Sequence, residues 1–276
     1  MEKVARAFAE QAGYEFHRCV GSGAFKQTFL VSNQDGAAAL KILGEKCSAV
    51  RTEREIEAAC RCRHPNLATL KAVVEFPFEG KIHTCMVEDY LAGGTLHERI
   101  SAGLFSREAV LALGRDLIAA LEYMYQLRLV HRDIKPENIM FRQPENSSPV
   151  IVDFGLVRDL DACSVTQSWF PQGPGTPAFA APEQLNNRKE LIDWRSDQFA
   201  AGVTLALCLL GFFPHSADGD ANFEHVDRVA AWQEPSAKFL NAIRDHRLPV
   251  LANMVRPYPV QRVRTPQLLI DLWDSQ

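Results

Sequence analysis

The chain has 276 residues, enough for one large packed unit or two small ones, and 47% of them are hydrophobic, so a sizeable core is expected and global disorder is excluded. A net charge of −4 with no Lys/Arg-rich run gives no reason to expect a nucleic-acid partner. The cysteines are seven, an odd number, and form no CxxC pair, which points to small core side chains in a reduced, cytoplasmic compartment rather than to a disulfide framework.

The first residues lack a long apolar stretch, so no signal peptide is expected. Val4 and Phe8 recur at helical spacing among charges, which predicts a short amphipathic helix over 3–12 docked on the strands after it. Next come two strand-like runs about Gly21-Ser22-Gly23, a GxG turn whose backbone can approach a phosphate closely because glycine has no Cβ. Ala38-Ala39-Leu40-Lys41 then carries a lysine at the end of an apolar strand. Residues 50–63 show the 3.6-residue period of an amphipathic helix, with Glu53, Glu55 and Glu57 among Ile56, Ala59 and Cys60, stopped at His64-Pro65-Asn66. Strands are predicted over 67–76 and 81–87, joined through Pro77 to Gly80, which completes a five-stranded antiparallel sheet. From Met86 the sequence passes from apolar strand to the glycine-rich turn at Gly93-Gly94.

Ser106 is the expected N-cap of a long helix with Val110, Leu113, Leu117, Leu121 and Met124 on one face. It leads into the stretch His131-Arg132-Asp133-Ile134-Lys135-Pro136-Glu137-Asn138, a polar loop pinned between apolar segments. Three chemistries sit together here. Asp133 can accept a hydroxyl proton, Lys135 can neutralise a phosphoryl oxygen, and the Asn138 amide oxygen can hold a divalent cation. After a polar hairpin tip, Val150-Ile151-Val152-Asp153-Phe154-Gly155 ends a strand in a carboxylate and a glycine. Residues 156–174 are polar and irregular and carry Ser164, Thr166 and Ser168. The run Phe199–Phe213 is too short for a comfortable membrane span and reads as a buried helix opened by Ser196-Asp197.

Taken in order, the GxG turn, Ala39–Lys41, the 131–138 loop, Asp153-Phe154-Gly155 and Gly175-Thr176-Pro177-Ala178-Phe179-Ala180-Ala181-Pro182-Glu183 resemble the catalytic domain of eukaryotic-type (Hanks-type) serine/threonine protein kinases. The resemblance covers residues 16–273 and implies an α+β, two-lobed protein-kinase fold. A small five-stranded antiparallel lobe with one main helix would sit on a larger, mainly helical lobe. It implies an N-terminal extension over 1–15, a small lobe over 16–88, a hinge over 89–95 and a large lobe over 96–276. It further implies phosphoryl transfer from Mg²⁺-bound ATP to protein serine and threonine hydroxyls.

By the same resemblance, Gly21, Ser22, Gly23, Ala24 and Phe25 cover the phosphates, Ala39 lies over the adenine, and Lys41 reaches the α- and β-phosphates, steadied by Glu55. Asp89, Tyr90 and Leu91 offer hinge backbone to the base. Asp133 is the catalytic base, Lys135 stabilises the transferring group, and Asn138 and Asp153 hold Mg²⁺. Arg132 is a receptor for an activation segment phosphorylated at Ser164, Thr166 or Ser168. Thr176 bonds Asp133 and Lys135, Asp197 bonds the catalytic-loop backbone, and Glu183 pairs with Arg262. The chain departs from the family pattern at Lys26 and Thr28, where glycine and valine are usual, and the residue guarding the back of the cleft is either a charged Glu88 or Val87. Two alternatives come from other classes: a pseudokinase or scaffold, and a small-molecule phosphotransferase, which the 175–183 segment opposes.

Overall fold

The computed structural model describes residues 1–23, 26–44, 49–154, 157–160, 176–216 and 222–276, with the side chains of 49–52, 54, 55, 222 and 223 outside the description. Helix α1 (Glu2–Gln11) is followed by strands β1 (Glu15–Ser22), β2 (Lys26–Asn33) and β3 (Gly36–Leu43), then helix α2 (Ala49–Arg61) and strands β4 (Leu70–Phe78) and β5 (Lys81–Asp89). The five strands form one antiparallel sheet in the order β1-β2-β3-β5-β4. The β4–β5 turn needs two left-handed residues to match the strand twist, and Glu79 (φ 49°) and Gly80 (φ 77°) supply them.

The two faces of this sheet have separate duties, set by the period of two along each strand. On one face Phe29, Val31, Ala38, Leu40, Ile42, Phe76, Cys85 and Val87 form a core with Val4, Ala5, Phe8 and Ala9 of α1. Phe8 meets Phe76 edge-on at 5.5 Å. The N-terminal helix is thus a layer of the small lobe's own core. Alternate residues Ala39 and Lys41 point to the opposite face, which looks into the cleft.

The larger, helical lobe begins with α3 (Leu96–Ala102) and α4 (Arg107–Gln126), the short strand β6 (Leu129–Val130), the hairpin β7 (Ile139–Phe141) and β8 (Pro149–Ile151), and β9 (Arg158–Asp159) paired with β6. Helices α5 (Pro182–Leu185), α6 (Trp194–Leu210), α7 (Asn222–Ala230), α8 (Ala237–Asp245), α9 (Val250–Met254) and α10 (Pro266–Asp274) complete it. Ser106 caps α4 by accepting the Ala109 N–H at 3.1 Å. Beyond its polar first turns helix α6 is apolar on every side from Phe199 to Leu210 except at Thr204, and it is buried along nearly its whole length, so it forms the centre of the lobe. It opens earlier than the sequence suggests: Asp193 caps it by accepting the Arg195 N–H at 2.8 Å, which releases Asp197 for another task. Gly211, at φ 73°, ends it in the left-handed conformation. No helix among the described residues is long and apolar enough to cross a membrane.

Contacts between the lobes come from defined groups. Arg61 at the end of α2 pairs with Asp159 and donates to the Leu127 carbonyl at 2.6 Å. Ala92 and Gly93 donate backbone N–H groups to Arg142 and Phe141 at 3.0 and 2.9 Å. A Cβ on Gly93 would come within 2.3 Å of the Gln143 carbonyl oxygen, so this crossing requires glycine. Strand β5 runs through Glu88 and ends at Asp89, from which the chain passes on to Tyr90 and Leu91. The Asp89 carboxylate turns to the outside and binds Lys71 at 3.0 Å and Arg142 at 3.1 Å. Those two cations hold its carboxyl below the ordinary range against the opposing effect of burial, which is the largest single influence.

Candidate active site

The 131–138 loop is fixed from below by Asp197. Its two carboxylate oxygens accept the backbone N–H groups of His131 and Arg132, each at 2.7 Å. Complete burial pushes the Asp197 carboxyl up to about 7, while the two N–H bonds pull the other way. Arg132 takes a left-handed backbone (φ 68°), a conformation costly for a residue with a Cβ and held here by its neighbours. Its carbonyl accepts from Gln184 Nε2 at 2.9 Å, so the start of α5 clamps the same peptide. His131 is fully buried, and its ring is used on both sides: Nδ1 accepts the Asp133 N–H at 3.3 Å, and Nε2 faces the Val152 carbonyl at 3.2 Å. That pattern requires the neutral ring, in keeping with a pKa lowered by burial.

Above this floor Asp133 is the hub. Its Oδ1 accepts both the backbone N–H and the hydroxyl of Thr176, each at 3.1 Å. Its Oδ2 lies 3.0 Å from Lys135 Nζ and accepts from Asn138 Nδ2 at 2.9 Å. Lys135 Nζ also donates to Thr176 Oγ1 at 2.6 Å. A residue 43 positions downstream is therefore stitched to the loop through a hydroxyl. Asn138 gives its amide N–H₂ to the carboxylate and to the carbonyl of Asp133, which turns its carboxamide oxygen away from them.

The β7–β8 hairpin brings the second carboxylate in. Ile139 pairs with Ile151, and the Val152 N–H donates to the Asn138 carbonyl at 2.9 Å, so Asp153 lies directly beside the loop. Asp153 is left-handed (φ 70°), the second strained position in the site. Lys26, where the kinase pattern has glycine, reaches down from β2 and places its ammonium 2.6 Å from Asp153 Oδ1. The cleft roof is β3, where Ala39 and Lys41 face inward. Lys41 Nζ lies 2.5 Å from Glu88 Oε2, and both residues are more than nine-tenths buried. Val87 belongs to the core beneath α1, so Glu88, not Val87, is the residue on the cleft face.

The remaining residues singled out from sequence separate into two groups. Gly21 and Ser22 end β1 and Gly23 follows it, its N–H donating to the Lys26 carbonyl at 2.9 Å. Tyr90 and Leu91 lie in the connection after β5. Glu183 and Arg262 are wholly buried and joined by two hydrogen bonds of 2.7 and 2.9 Å. Ala24, Phe25, Gly155, Ser164, Thr166, Ser168 and Gly175 lie outside the described residues, as does the side chain of Glu55. Glu53 and Glu57 are exposed on α2.

The donor set fits a nucleotide carrying a divalent cation. A cationic group already sits on Asp153, the Asn138 oxygen is turned away from its internal partners, Lys26 and Lys135 set ammonium groups against the two carboxylates, and Lys41 adds a third on β3. A cleft floored by a carboxylate, an amine and an amide, and roofed by a glycine turn and a buried lysine, defines a phosphotransferase of the two-lobed kinase class. The sequence matches the Protein kinase domain family over residues 14–273. It is 32% identical to the serine/threonine-protein kinase SAPK1 of Oryza sativa subsp. japonica over 267 residues, 94% of this chain and 75% of the rice protein. It is 29% identical to calcium/calmodulin-dependent protein kinase type 1B of Rattus norvegicus, over 95% of this chain and 75% of that protein. A probable myosin light chain kinase of Dictyostelium discoideum is 31% identical over 77% of this chain and 68% of its own length. The chain belongs to the protein kinase family, and within it to the serine/threonine protein kinases.

Two contacts are not legible in the sequence. Lys26 reads there as a positive charge at the loop tip, but no local pattern gives its reach across 127 positions to Asp153. Glu88 reads as an odd charge, and the signal that could pair it with Lys41 is the parity of β3 and β5, once their register is known.

Proposed function

We propose that this chain transfers the γ-phosphoryl group of Mg²⁺-bound ATP to serine or threonine hydroxyls, with Asp133 as the base that accepts the hydroxyl proton. The observation that carries the reading is the closed hydrogen-bonded set of Asp133, Lys135, Asn138 and Thr176. Asp133 keeps one carboxylate oxygen on Thr176 and the other toward Lys135, which fixes its plane and aims it at an incoming hydroxyl. Lys135 stands where negative charge grows on the transferring group. Lys41 binds the α- and β-phosphates, Gly21 to Phe25 cover them, Ala39 packs over the base, and the backbone of Asp89 to Leu91 bonds its edge. Asn138 and Asp153 would hold the divalent cation, which neutralises phosphate charge when bound. Arg132 receives a phosphate on Ser164, Thr166 or Ser168, and Glu55 steadies Lys41.

The division into an extension over 1–15, lobes over 16–88 and 96–276 and a connection over 89–95 belongs to the same reading. A cytoplasmic location is in keeping with it, because the cysteines at 19, 60, 62, 85 and 208 are all free thiols. The test is phosphate transfer from labelled ATP to serine and threonine peptides. Asp133→Asn keeps the side-chain volume, so the fold should persist while transfer drops by several orders of magnitude. Full activity in that variant would end the reading. Mass spectrometry of the active protein checks the three phosphorylation positions.

A further inference from the structure

In strand β3 the buried ammonium of Lys41 needs a fixed counter-charge, since a cation withdrawn from water without one is strongly disfavoured. The sheet supplies it. The β3–β5 register sets Ala39 opposite Glu88 and Lys41 opposite Met86, so Lys41 and Glu88 are diagonal neighbours on one face. Such neighbours lie about 7–8 Å apart at the backbone, within reach of two long side chains. The residue directly opposite Glu88 is only an alanine, Ala39, which leaves Glu88 room to lean along the sheet. Its Oε2 lies 2.5 Å from Lys41 Nζ, with the two side chains 6% and 10% exposed. Val87 and Cys85, on the alternate positions, are locked into the core with α1, so β5 cannot slip and turn Glu88 away.

We propose that Glu88 is a positioning residue for Lys41: the lysine that grips the nucleotide phosphates is anchored by a carboxylate on the neighbouring strand. The inference rests on the reading of Lys41 as the phosphate-binding lysine. An anchor in the same sheet moves with Lys41 as one rigid piece, so the amine is oriented before nucleotide arrives. The carboxylate lies on the cleft face of β5, on the strand next to β3, and its ion-pair partner there is the lysine, through which it acts.

The experiment is a cycle of Lys41→Met, Glu88→Gln and the double variant, read by calorimetric affinity for ADP and by separate KM values for ATP and peptide. Exchanging a charged for a neutral hydrogen-bond partner should weaken ADP binding about tenfold and raise the ATP KM in parallel. The peptide KM should stay constant. In the Lys41→Met background Glu88→Gln should add no further loss, because its effect passes through the amine. Unchanged or tighter ADP binding by Glu88→Gln, or an equal loss in both backgrounds, overturns the proposal. Should Glu88→Gln be unfolded at the assay temperature, the double variant, which contains no unpaired buried ion, must regain its fold. A double variant that stays unfolded also overturns it. If the parent protein transfers phosphate and Asp133→Asn does not, while Glu88→Gln is indifferent, the kinase reading survives and the proposal alone falls.

Discussion

Arg262→Met tests how the lower lobe holds its segment after residue 176. All five N–H groups of the Arg262 guanidinium are used. Two go to Glu183 at 2.7 and 2.9 Å, and three go to the carbonyls of Arg256, Arg195 and Pro257 at 2.8, 3.0 and 2.7 Å. Glu183 accepts a further bond from Ser196 Oγ at 2.7 Å, and neither member of the pair has exposed side-chain surface. Methionine fills much of the space and supplies none of these donors. The substitution leaves a buried carboxylate and three carbonyls short of partners, at a cost of roughly 3–5 kcal/mol. At roughly 2–4 °C per kcal/mol for a protein of this size, melting should fall by about 6–20 °C. The double variant Glu183→Gln/Arg262→Met should recover part of the loss, since the charge is gone. Differential scanning calorimetry with urea titration measures both. A loss below about 1 kcal/mol for Arg262→Met, the range of an exposed pair such as Arg6–Glu2, would refute the reasoning.

Three further outcomes are expected. His225 is buried, accepts the His215 N–H on Nδ1 at 3.3 Å and faces the Ala178 carbonyl with Nε2 at 3.0 Å, so its ring is neutral in the fold. Burial lowers its pKa from 6.5 to about 4. The unfolded chain therefore binds a proton between pH 6.5 and 4 that the folded one refuses. Stability is full above pH 6.5 and is lost as pH falls toward 4, by up to roughly 3 kcal/mol from this ring, and His225→Gln should flatten that slope in urea titrations. Lys26→Gly removes the ammonium from Asp153, so the stabilisation by MgCl₂ with ADP, followed by thermal melting, should saturate at lower Mg²⁺; an unchanged midpoint would show that the contact does not compete with the cation. A Cβ on Gly114 would come within 2.0 Å of the Trp273 ring, where α4 meets α10, so Gly114→Ala should cost roughly 1–3 kcal/mol in chemical denaturation; a neutral result would show that the indole moves aside freely.

The sequence by itself determined the elements, the fold class and the chemistry of the cleft floor. Local signals suffice there. Periodicity places α4 and β3, and Asp133, Lys135 and Asn138 are so close in the chain that their meeting is settled by a single loop. Even the bond from Thr176 is expected, because the surrounding motif carries it. Only the tertiary structure decided between Glu88 and Val87. A strand's alternation says which residues share a face and leaves open which face is the cleft; α1, by covering the side that holds Val87, made that choice. Distance along the chain hid the rest. Lys26 meets Asp153 across 127 positions through the packing of whole elements, and long-range packing leaves no local pattern in the sequence; Glu183 with Arg262, 79 positions apart, is expected only because the family resemblance carries the pair.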